Sequence, residues 1–313
     1  MIKIPKIKSE VRIDEIHDRF VIIAPKRLQR PHDVAVHHEI PVKSKDCPFC
    51  QETKMMSQPA LYQVGPEQWW EIKVIKNIFP VVSLDTPKTY GTQEVVIETP
   101  HHNREFAEFS EGHIVRLLKA YAARTKDIAQ DKKIKYILVF KNHGGTAGAS
   151  LVHAHSQIFA AGFLPPHIID KLAASRKYRI KNGICYYCHL VQKEMHGPRK
   201  IGGDKFMAAF TPWASSYNYE AWVIPRRHVD NITQLDDNEL KSLAKFMKLA
   251  IKRLNTLQLP YNFYLHQAVT EKDEHLYLRI CPRRDIWAGI EMGSRLIINT
   301  VAPEAAAKFY RGK

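Results

Sequence analysis

No apolar run in this sequence approaches the roughly 20 residues that a membrane-spanning helix needs. The first residues also lack the apolar core of a secretory signal peptide, so a cytoplasmic protein without a membrane partner is expected. Helix-turn-helix, RNP and zinc-finger spacings are missing. Alternating strands and helices with a Gly-x-Gly-x-x-Gly fingerprint are missing too, which argues against a doubly wound parallel sheet.

Acidic residues are in short supply, since 32 Asp and Glu stand against 47 Lys and Arg and give a formal net charge of +15. Such an excess is typical of proteins that bind nucleic acid or an anionic substrate. The basic residues are scattered along the chain rather than concentrated in a tail or on one helix. Nucleic acid is therefore not the expected partner, and a polyphosphate substrate explains part of the charge.

Cysteine is also scarce, but four of the five cysteines form two Cys-x-x-Cys pairs, Cys47 with Cys50 and Cys185 with Cys188. This arrangement suits metal binding in a reducing compartment better than disulfides. Tetrahedral zinc accepts a pair of thiolates and takes two further ligands from elsewhere in the chain. For the second pair, two buried thiols without a metal are the alternative interpretation.

The most informative stretch begins at Asn142, where a small-residue segment leads into His153-Ala-His-Ser-Gln157. The apolar, β-branched run at 134–140 predicts a buried strand before it. Alternation in a second strand would place His153, His155 and Gln157 on one face. Glycines between the strands let backbone N–H groups approach an anion. An imidazole beside a phosphate can attack phosphorus itself and split one displacement into two, although an ordinary His-x-His strand is the alternative.

These residues resemble the active-site signature of the galactose-1-phosphate uridylyltransferase family, a branch of the histidine-triad superfamily. The pattern Asn-x-Gly, a small-residue loop, Ser and His-x-His-x-Gln is matched in order by Asn142, Gly144, Gly148, Ser150, His153, His155 and Gln157. Ala154 stands where the family usually has proline. The resemblance implies that His155 is the nucleophile and Gln157 its catalytic partner. It also implies phosphate contacts from Asn142, Gly148 and Ser150, and a metal ligand at His153.

Other segments resemble family elements near the substrate. They are Arg27 and Arg30 after the first strand, Asn77 in an Asn-x-Phe-Pro turn, and Glu291 in a glycine-rich C-terminal loop. The resemblance implies that these residues bind the nucleotide sugar, with solvated surface charge as the alternative for the two arginines. It also implies a structural zinc ion held by Cys47, Cys50, His102 and His153, with His101 competing for the third position.

The second half of the chain repeats the first. Helix signals after Ser110 recur after Asp236, and the strand pattern around the histidines recurs at 261–282. Superposing His275 on His153 puts Tyr277 at the position of His155. Tyrosine is a poor nucleophile near neutral pH, because its phenol titrates near pH ~10. Only the first half is therefore predicted to be catalytic, which makes His155 the reactive residue.

The repeat predicts a second zinc site at Cys185, Cys188, His228 and His275. The resemblance offers iron bound through Glu194 as an alternative, but the second histidine of the closing His-x-His is missing here. The predicted fold is α+β, with two tandem histidine-triad-like halves at residues 1–165 and 166–313, each with an antiparallel sheet and a crossing helix. The two sheets are able to join into one.

The first hypothesis for function is a nucleotidyltransferase that acts through a nucleotidyl-histidine on UDP-glucose and galactose 1-phosphate. A phosphorylase or adenylyltransferase using ADP-glucose or a dinucleoside polyphosphate is the second. A nucleotide- or RNA-binding protein on the same scaffold is the third. The expected ligands are a nucleotide sugar and a sugar 1-phosphate, and the resemblance implies a homodimer.

Overall fold

The computed structural model describes residues 9–14, 16, 19–29, 44–50, 53, 55–269 and 274–312. The strands in these ranges are β1 Glu10–Asp14, β2 Arg19–Ile23, β3 Tyr62–Val64, β4 Ile72–Lys76, β5 Gly91–Ile97, β6 Tyr136–His143, β7 His155–Ala161, β8 Lys200–Gly203, β9 Met207–Phe210, β10 Ala221–Pro225, β11 Tyr261–His266, β12 Tyr277–Pro282 and β13 Ile297–Asn299. The helices are α1 Glu111–Ile128, α2 Pro166–Asn182, α3 Tyr186–Glu194, α4 Asp237–Asn255, α5 Gly289–Ser294 and α6 Pro303–Tyr310. None of these helices carries an apolar stretch long enough to cross a bilayer.

Ten strands form one continuous sheet in the order β3-β4-β5-β7-β6-β11-β12-β10-β9-β8, and every neighbouring pair is antiparallel. The five strands on one side come from the first half of the chain and the five on the other from the second. They join at β6 and β11, where Asn142 lies opposite Asn262. The predicted α+β fold is confirmed. The division at residue 165 stays a prediction, because the sheet runs across it.

Helices α1 and α4 pack side by side on one face of the large sheet. Their buried stripes include Ile114 and Leu118 from α1 and Leu240 and Met247 from α4, and burial of each such side chain contributes about 1.5–3 kcal/mol. Both helices begin at the predicted caps. Asp236, for example, accepts hydrogen bonds from two backbone N–H groups of its own first turn. One core therefore spans both halves on this face, and the opposite face is left for the histidines.

The small sheet has the order β1-β2-β13 and pairs two strands from the N-terminal part of the chain with one from the C-terminal part. Strand β13 is parallel to β2, with Ile297 opposite Val21. The Arg12 guanidinium lies 3.9 Å from the ring centroid of Trp213 and forms a 3.1 Å ion pair with Glu304 in α6. Because Arg12 is almost fully buried, this pair is shielded from solvent and holds β1 against the second half.

Several elements differ from the sequence-based expectation. Strand β7 begins at His155 rather than at His153, and in the repeat β12 begins at Tyr277, two residues after His275. The glycine-rich segment around Glu291 is a short helix, because its carboxylate accepts a 2.9 Å hydrogen bond from the Ala288 N–H and caps the turn. Helices α2 and α3 were not predicted. Only three residues of α2 are buried, so it lacks an apolar stripe that sequence periodicity could detect.

Candidate active site and metal centres

His155 opens β7 on the face of the sheet opposite α1. Its side chain is only 7% exposed, and its Nδ1 lies 2.8 Å from the carbonyl oxygen of His153. A carbonyl can only accept a hydrogen bond, so Nδ1 carries the hydrogen and Nε2 keeps its lone pair. Burial, together with the charge of Lys141, lowers the pKa of His155. The ring is therefore held in a neutral tautomer whose Nε2 is available for nucleophilic attack.

Phe49 connects the first cysteine pair to both histidines. Its ring is buried, with its centroid 5.6 Å from that of His153 and 5.5 Å from that of His155, both in edge-to-face geometry. Phe49 stands between Cys47 and Cys50. The Cys-x-x-Cys turn thus packs directly against the candidate nucleophile, and a disturbance of this turn would reach His155.

The structure brings together the four residues predicted for the first metal site. The Cys50 sulfur lies 3.4 Å from Nδ1 of His102 and 3.3 Å from Nδ1 of His153, and the Cys47 sulfur lies 3.6 Å from the latter. A zinc ion about 2.3 Å from sulfur and about 2.05 Å from nitrogen in tetrahedral geometry sets sulfur and nitrogen about 3.6 Å apart. The donor set and its spacing therefore fit zinc.

Two further contacts support this cluster as a metal site. His153 donates its Nε2 hydrogen to the Thr99 carbonyl oxygen at 2.8 Å, which leaves Nδ1 directed at the sulfurs, as metal-ligating histidines require. Burial and the neighbouring Cys47 raise the pKa of Cys50 to about 11, so two thiolates here need a cation between them. His102 is in the cluster, whereas His101 is exposed and lines an open recess of about 700 Å³ beside it.

The second predicted set also converges. The Cys188 sulfur lies 3.5 Å from Nδ1 of His228 and 3.5 Å from Nδ1 of His275, while that of Cys185 is 4.0 Å from the latter. His275 donates its Nε2 hydrogen to the Pro225 carbonyl oxygen at 3.0 Å, the same arrangement as at His153. Glu194 lies outside this set and forms a 2.6 Å ion pair with Arg199. The geometry favours a tetrahedral site over an iron site that uses Glu194.

The glycine-rich loop after β6 depends on two glycines with positive φ, Gly144 at 86° and Gly148 at 84°, a region that other residues rarely adopt. The N–H groups of Ala147, Gly148 and Ala149 all donate to carbonyl oxygens within the loop. These three N–H groups are therefore already engaged in this conformation, and a phosphate contact from the loop backbone stays a prediction. The Ser150 side chain, in contrast, is exposed.

Asn142 is held in place from the second half of the chain. Asn262 on β11 donates one 2.7 Å hydrogen bond to Oδ1 of Asn142 and another to the carbonyl oxygen of Ala147. Arg283 in turn lies 3.4 Å from Oδ1 of Asn262. No local pattern marks Asn262 in the sequence, because its partner Asn142 is 120 residues away in the chain. The second half of the chain therefore fixes the loop of the first half.

We expect Asn262→Ala to weaken the phosphate contact predicted for Asn142, without unfolding the protein. The substitution removes two partly buried hydrogen bonds, worth about 0.5–1.5 kcal/mol each, and releases Asn142 and the loop. The KM for the nucleotide donor should rise about tenfold, and the melting temperature should fall by only a few degrees. Steady-state kinetics and thermal unfolding check this. Asn255→Ala, at the exposed end of α4, is the control, and equal KM values for the two variants would contradict the role of Asn262.

Gln157 is linked to the Asn77 turn through a residue that the sequence did not reveal. Gln93 on β5 donates a 2.7 Å hydrogen bond to Oε1 of Gln157. The carbonyl oxygen of Gln93 accepts the Asn77 N–H at 2.9 Å, and its side chain accepts the Val81 N–H. Gln93 thus orients the Gln157 amide and connects it, through its own backbone, to the Asn77 turn.

Among the described residues, no contact connects Arg27 or Glu291 to the histidines. Arg27 is exposed in the turn after β2, and Arg30 lies outside the described residues. Glu291 caps α5, and in the described part of the chain no hydrogen bond or ion pair connects it to β7. Their roles at the substrate stay predictions.

The equivalent site in the second half is filled with side chains. The Tyr277 ring, which replaces His155, stacks at 4.5 Å on Trp222 and at 4.4 Å on His266. Tyr187 of α3 covers it at 5.1 Å, and the three aromatic residues of this stack other than His266 are at most 4% exposed. Arg279, which replaces Gln157, is bound to Glu220 at 2.6 Å. The stack leaves no room for a nucleotide beside Tyr277.

Comparison with known proteins identifies similar chains. Residues 3–165 match the family model for the N-terminal domain of galactose-1-phosphate uridyl transferase. An ADP-glucose phosphorylase of Arabidopsis thaliana is 33% identical over 96% of this chain and 92% of its own length. A galactose-1-phosphate uridylyltransferase of Thermotoga maritima is 28% identical over 96% of this chain and 98% of its own.

Solved structures show the same similarity. The Arabidopsis thaliana ADP-glucose phosphorylase with bound ADP-glucose superposes with a TM-score of 0.87 at 31% identity, covering 98% of this chain and 99% of that one. A uridylyltransferase structure has a TM-score of 0.77 at 26% identity, covering 97% and 98%.

Proposed function

Because this chain belongs to the galactose-1-phosphate uridyl transferase family and is a nucleotidyltransferase, we propose that it transfers a nucleotidyl group from a nucleotide sugar by double displacement through His155. The observation that carries the proposal is the state of the His155 ring. Its Nδ1 hydrogen is engaged by the His153 carbonyl at 2.8 Å, its pKa is lowered, and its Nε2 is left with a lone pair.

In the first step Nε2 of His155 attacks the α-phosphorus of the donor. A nitrogen–phosphorus bond forms, the bond from that phosphorus to the bridging oxygen breaks, and a sugar 1-phosphate leaves with the electron pair. In the second step a phosphate oxygen of the acceptor attacks the same phosphorus and releases neutral His155. The Nδ1 hydrogen stays on the ring throughout, where the His153 carbonyl stabilises the positive charge of the intermediate.

Charge on the transferred phosphoryl group needs donors in fixed positions. The Gln157 amide is oriented by Gln93, and the Asn142 amide is oriented by Asn262. Ser150 offers an exposed hydroxyl at the end of the loop between them. These three side chains are the donors that we assign to the phosphates.

The two Cys₂His₂ clusters fit zinc, and with four protein ligands each ion would be structural, because no coordination position is left for water. In the first half the ion would hold Cys47, Cys50, His102 and His153 together. Held in this way, the bend before β7 would keep the carbonyl oxygen of His153 in place, where it orients the His155 ring.

The donor is either UDP-glucose, with galactose 1-phosphate as the acceptor, or ADP-glucose, with inorganic phosphate as the acceptor. The sequence alone put the uridylyl reaction first. The higher identity to the Arabidopsis thaliana ADP-glucose phosphorylase favours the second pair, and similarity to uridylyltransferases over nearly the full length keeps the first open. We therefore take ADP-glucose as the donor to test first.

We expect a covalent nucleotidyl-enzyme to form when the protein is mixed briefly with the correct donor and no acceptor. Intact mass spectrometry should show a gain of one nucleoside monophosphate per chain, AMP from ADP-glucose or UMP from UDP-glucose. The size of the gain identifies the base. Addition of the correct acceptor should return the protein to its original mass. Absence of an adduct with both donors would contradict the proposal and favour a protein that binds nucleotides without transferring them.

A further inference from the structure

Lys141 is a buried cation directly behind the reactive strand. Its Nζ lies 3.1 Å from the carbonyl oxygen of His155 and 2.8 Å from Oε2 of Glu98. The Lys141 side chain is 2% exposed and that of Glu98 is fully buried. The ion pair lies on the α1 face of the sheet, because Glu98 also contacts Tyr121 of α1, whereas the His155 ring projects from the other face. Lys141 therefore contacts the backbone of His155 and not its ring.

Glu98 is itself held by several buried groups. Its Oε1 lies 3.4 Å from the Tyr121 hydroxyl, which is 2.7 Å from the hydroxyl of Ser156. Its backbone carbonyl oxygen is 2.7 Å from Nε2 of His113. The network fixes the ammonium of Lys141 from several sides, so the hydrogen bond to the His155 carbonyl has little freedom.

Packing alone does not explain such a network. Moving a lysine and a glutamate out of water costs at least as much free energy as their mutual attraction returns. Well-packed apolar residues of similar volume stabilise the folded state equally well or better. A buried ion pair is therefore weak support for stability. Its position against the backbone of the nucleophile indicates a different role.

The second half of the chain provides an internal comparison. When Tyr277 is superposed on His155, Leu278 takes the place of Ser156 and its cross-strand partner Leu265 takes that of Lys141. Met247 follows the helix cap Asp236 at the same spacing as Tyr121 follows Ser110. All three replacements are buried in the apolar core. The half without a nucleophile has packed this position with apolar side chains, and the half with His155 has kept the polar network.

We propose that Lys141 is a positioning residue for His155, acting through the His155 carbonyl and held by Glu98. Its ammonium fixes the peptide group of His155 where β7 begins, immediately after the bend that carries His153. The ring angle is then determined from both ends, by Lys141 at the carbonyl and by the His153 carbonyl at Nδ1. This inference rests on the proposed function, since it concerns the nucleophilic step of that same site.

The test uses the double variant Lys141→Met with Glu98→Gln, which removes both charges together and keeps their volumes. Formation of the nucleotidyl-enzyme is followed by rapid quench over a range of donor concentrations. We expect the maximal rate constant to fall about 100-fold, as a displacement of about 1 Å at a reacting group does. The half-saturating donor concentration should stay within about twofold and the zinc content should be unchanged. A purely structural role would not separate these quantities.

Lys171→Met with Glu274→Gln is the matched control. This pair is also buried, with Nζ and Oε1 2.9 Å apart and side chains 1% and 3% exposed, but it lies in the second half. The double substitution of this pair should leave the rate constant within about twofold of the wild type. Lys141→Arg keeps a donor and the ion pair, and should retain a rate within about tenfold of the wild type. If the double variant does not fold, the rate constant of Lys141→Arg is the measurement that tests the proposal.

Three results would overturn the proposal. One is an unchanged rate constant in the Lys141 double variant, and another is an equal loss in the control pair. The third is a loss in Lys141→Arg of about 100-fold or more. If the wild-type protein itself forms no adduct with ADP-glucose or UDP-glucose, the proposed function fails together with this role. That failure is recognised before any variant is compared.

Discussion

Replacing His155 with alanine is expected to lower turnover on the order of 10⁴-fold or more, because the substitution removes the atom that bonds to phosphorus. Folding should survive, since the loss is one imidazole that contacts Phe49 and the His153 carbonyl. The expected cost to stability is about 1–3 kcal/mol. Intact mass after mixing with donor should show no adduct, and metal analysis should match the wild type.

Tyr277→Phe is the matched control for this experiment. Tyr277 occupies the equivalent position in the repeat but lies in a closed aromatic stack. The Tyr277→Phe variant should form the adduct at the wild-type rate. A persistent adduct in His155→Ala would place the nucleophile elsewhere and remove the proposed mechanism.

Replacing Cys47 with serine is expected to lose about one equivalent of zinc per chain and to slow adduct formation about 100-fold. The effect on the rate is indirect. Without the ion His153 is no longer held, and its carbonyl no longer orients the His155 ring. The melting temperature should fall on the order of 5 °C or more. Metal analysis, thermal unfolding and rapid-quench kinetics measure the three effects.

Cys185→Ser separates a local effect of the first metal from general loss of stability. It should also lose about one equivalent of zinc, since its sulfur lies in the second cluster. The folded fraction should form adduct within about threefold of the wild-type rate, because that cluster surrounds no nucleophile. Equal rate losses in both variants would show that the metals act only through overall stability. Wild-type metal content in Cys47→Ser would remove Cys47 from the ligand set.

The parts of this molecule that the sequence could predict are those with local signals. A Cys-x-x-Cys turn brings two sulfurs together by itself, and the caps at Ser110 and Asp236 set the start of their helices. The family resemblance supplied the histidines of the first metal cluster, and the internal repeat transferred that ligand set to the second cluster.

The parts that could not be predicted depend on contacts between distant segments. Lys141 and Glu98 are 43 residues apart, and nothing local distinguishes Lys141 from the many surface lysines. The effect of Asn262 on Asn142 exists only because β6 and β11 pair. His153 is drawn out of the expected strand by the Thr99 carbonyl and by the cysteine sulfurs. In each case tertiary contacts override the local pattern.

The pairing of β6 with β11 also bears on how such a chain could arise and whether it can be divided. In a separate first half β6 would be an edge strand with a row of unpaired N–H and C=O groups, a template for aggregation or for self-association. Two copies of one half could cover this edge only by pairing β6 with β6. The present sheet has that same symmetric order in a single chain, as expected after duplication and fusion of a gene for a homodimer. Expressed apart, the halves should either aggregate or reassemble across this strand pair.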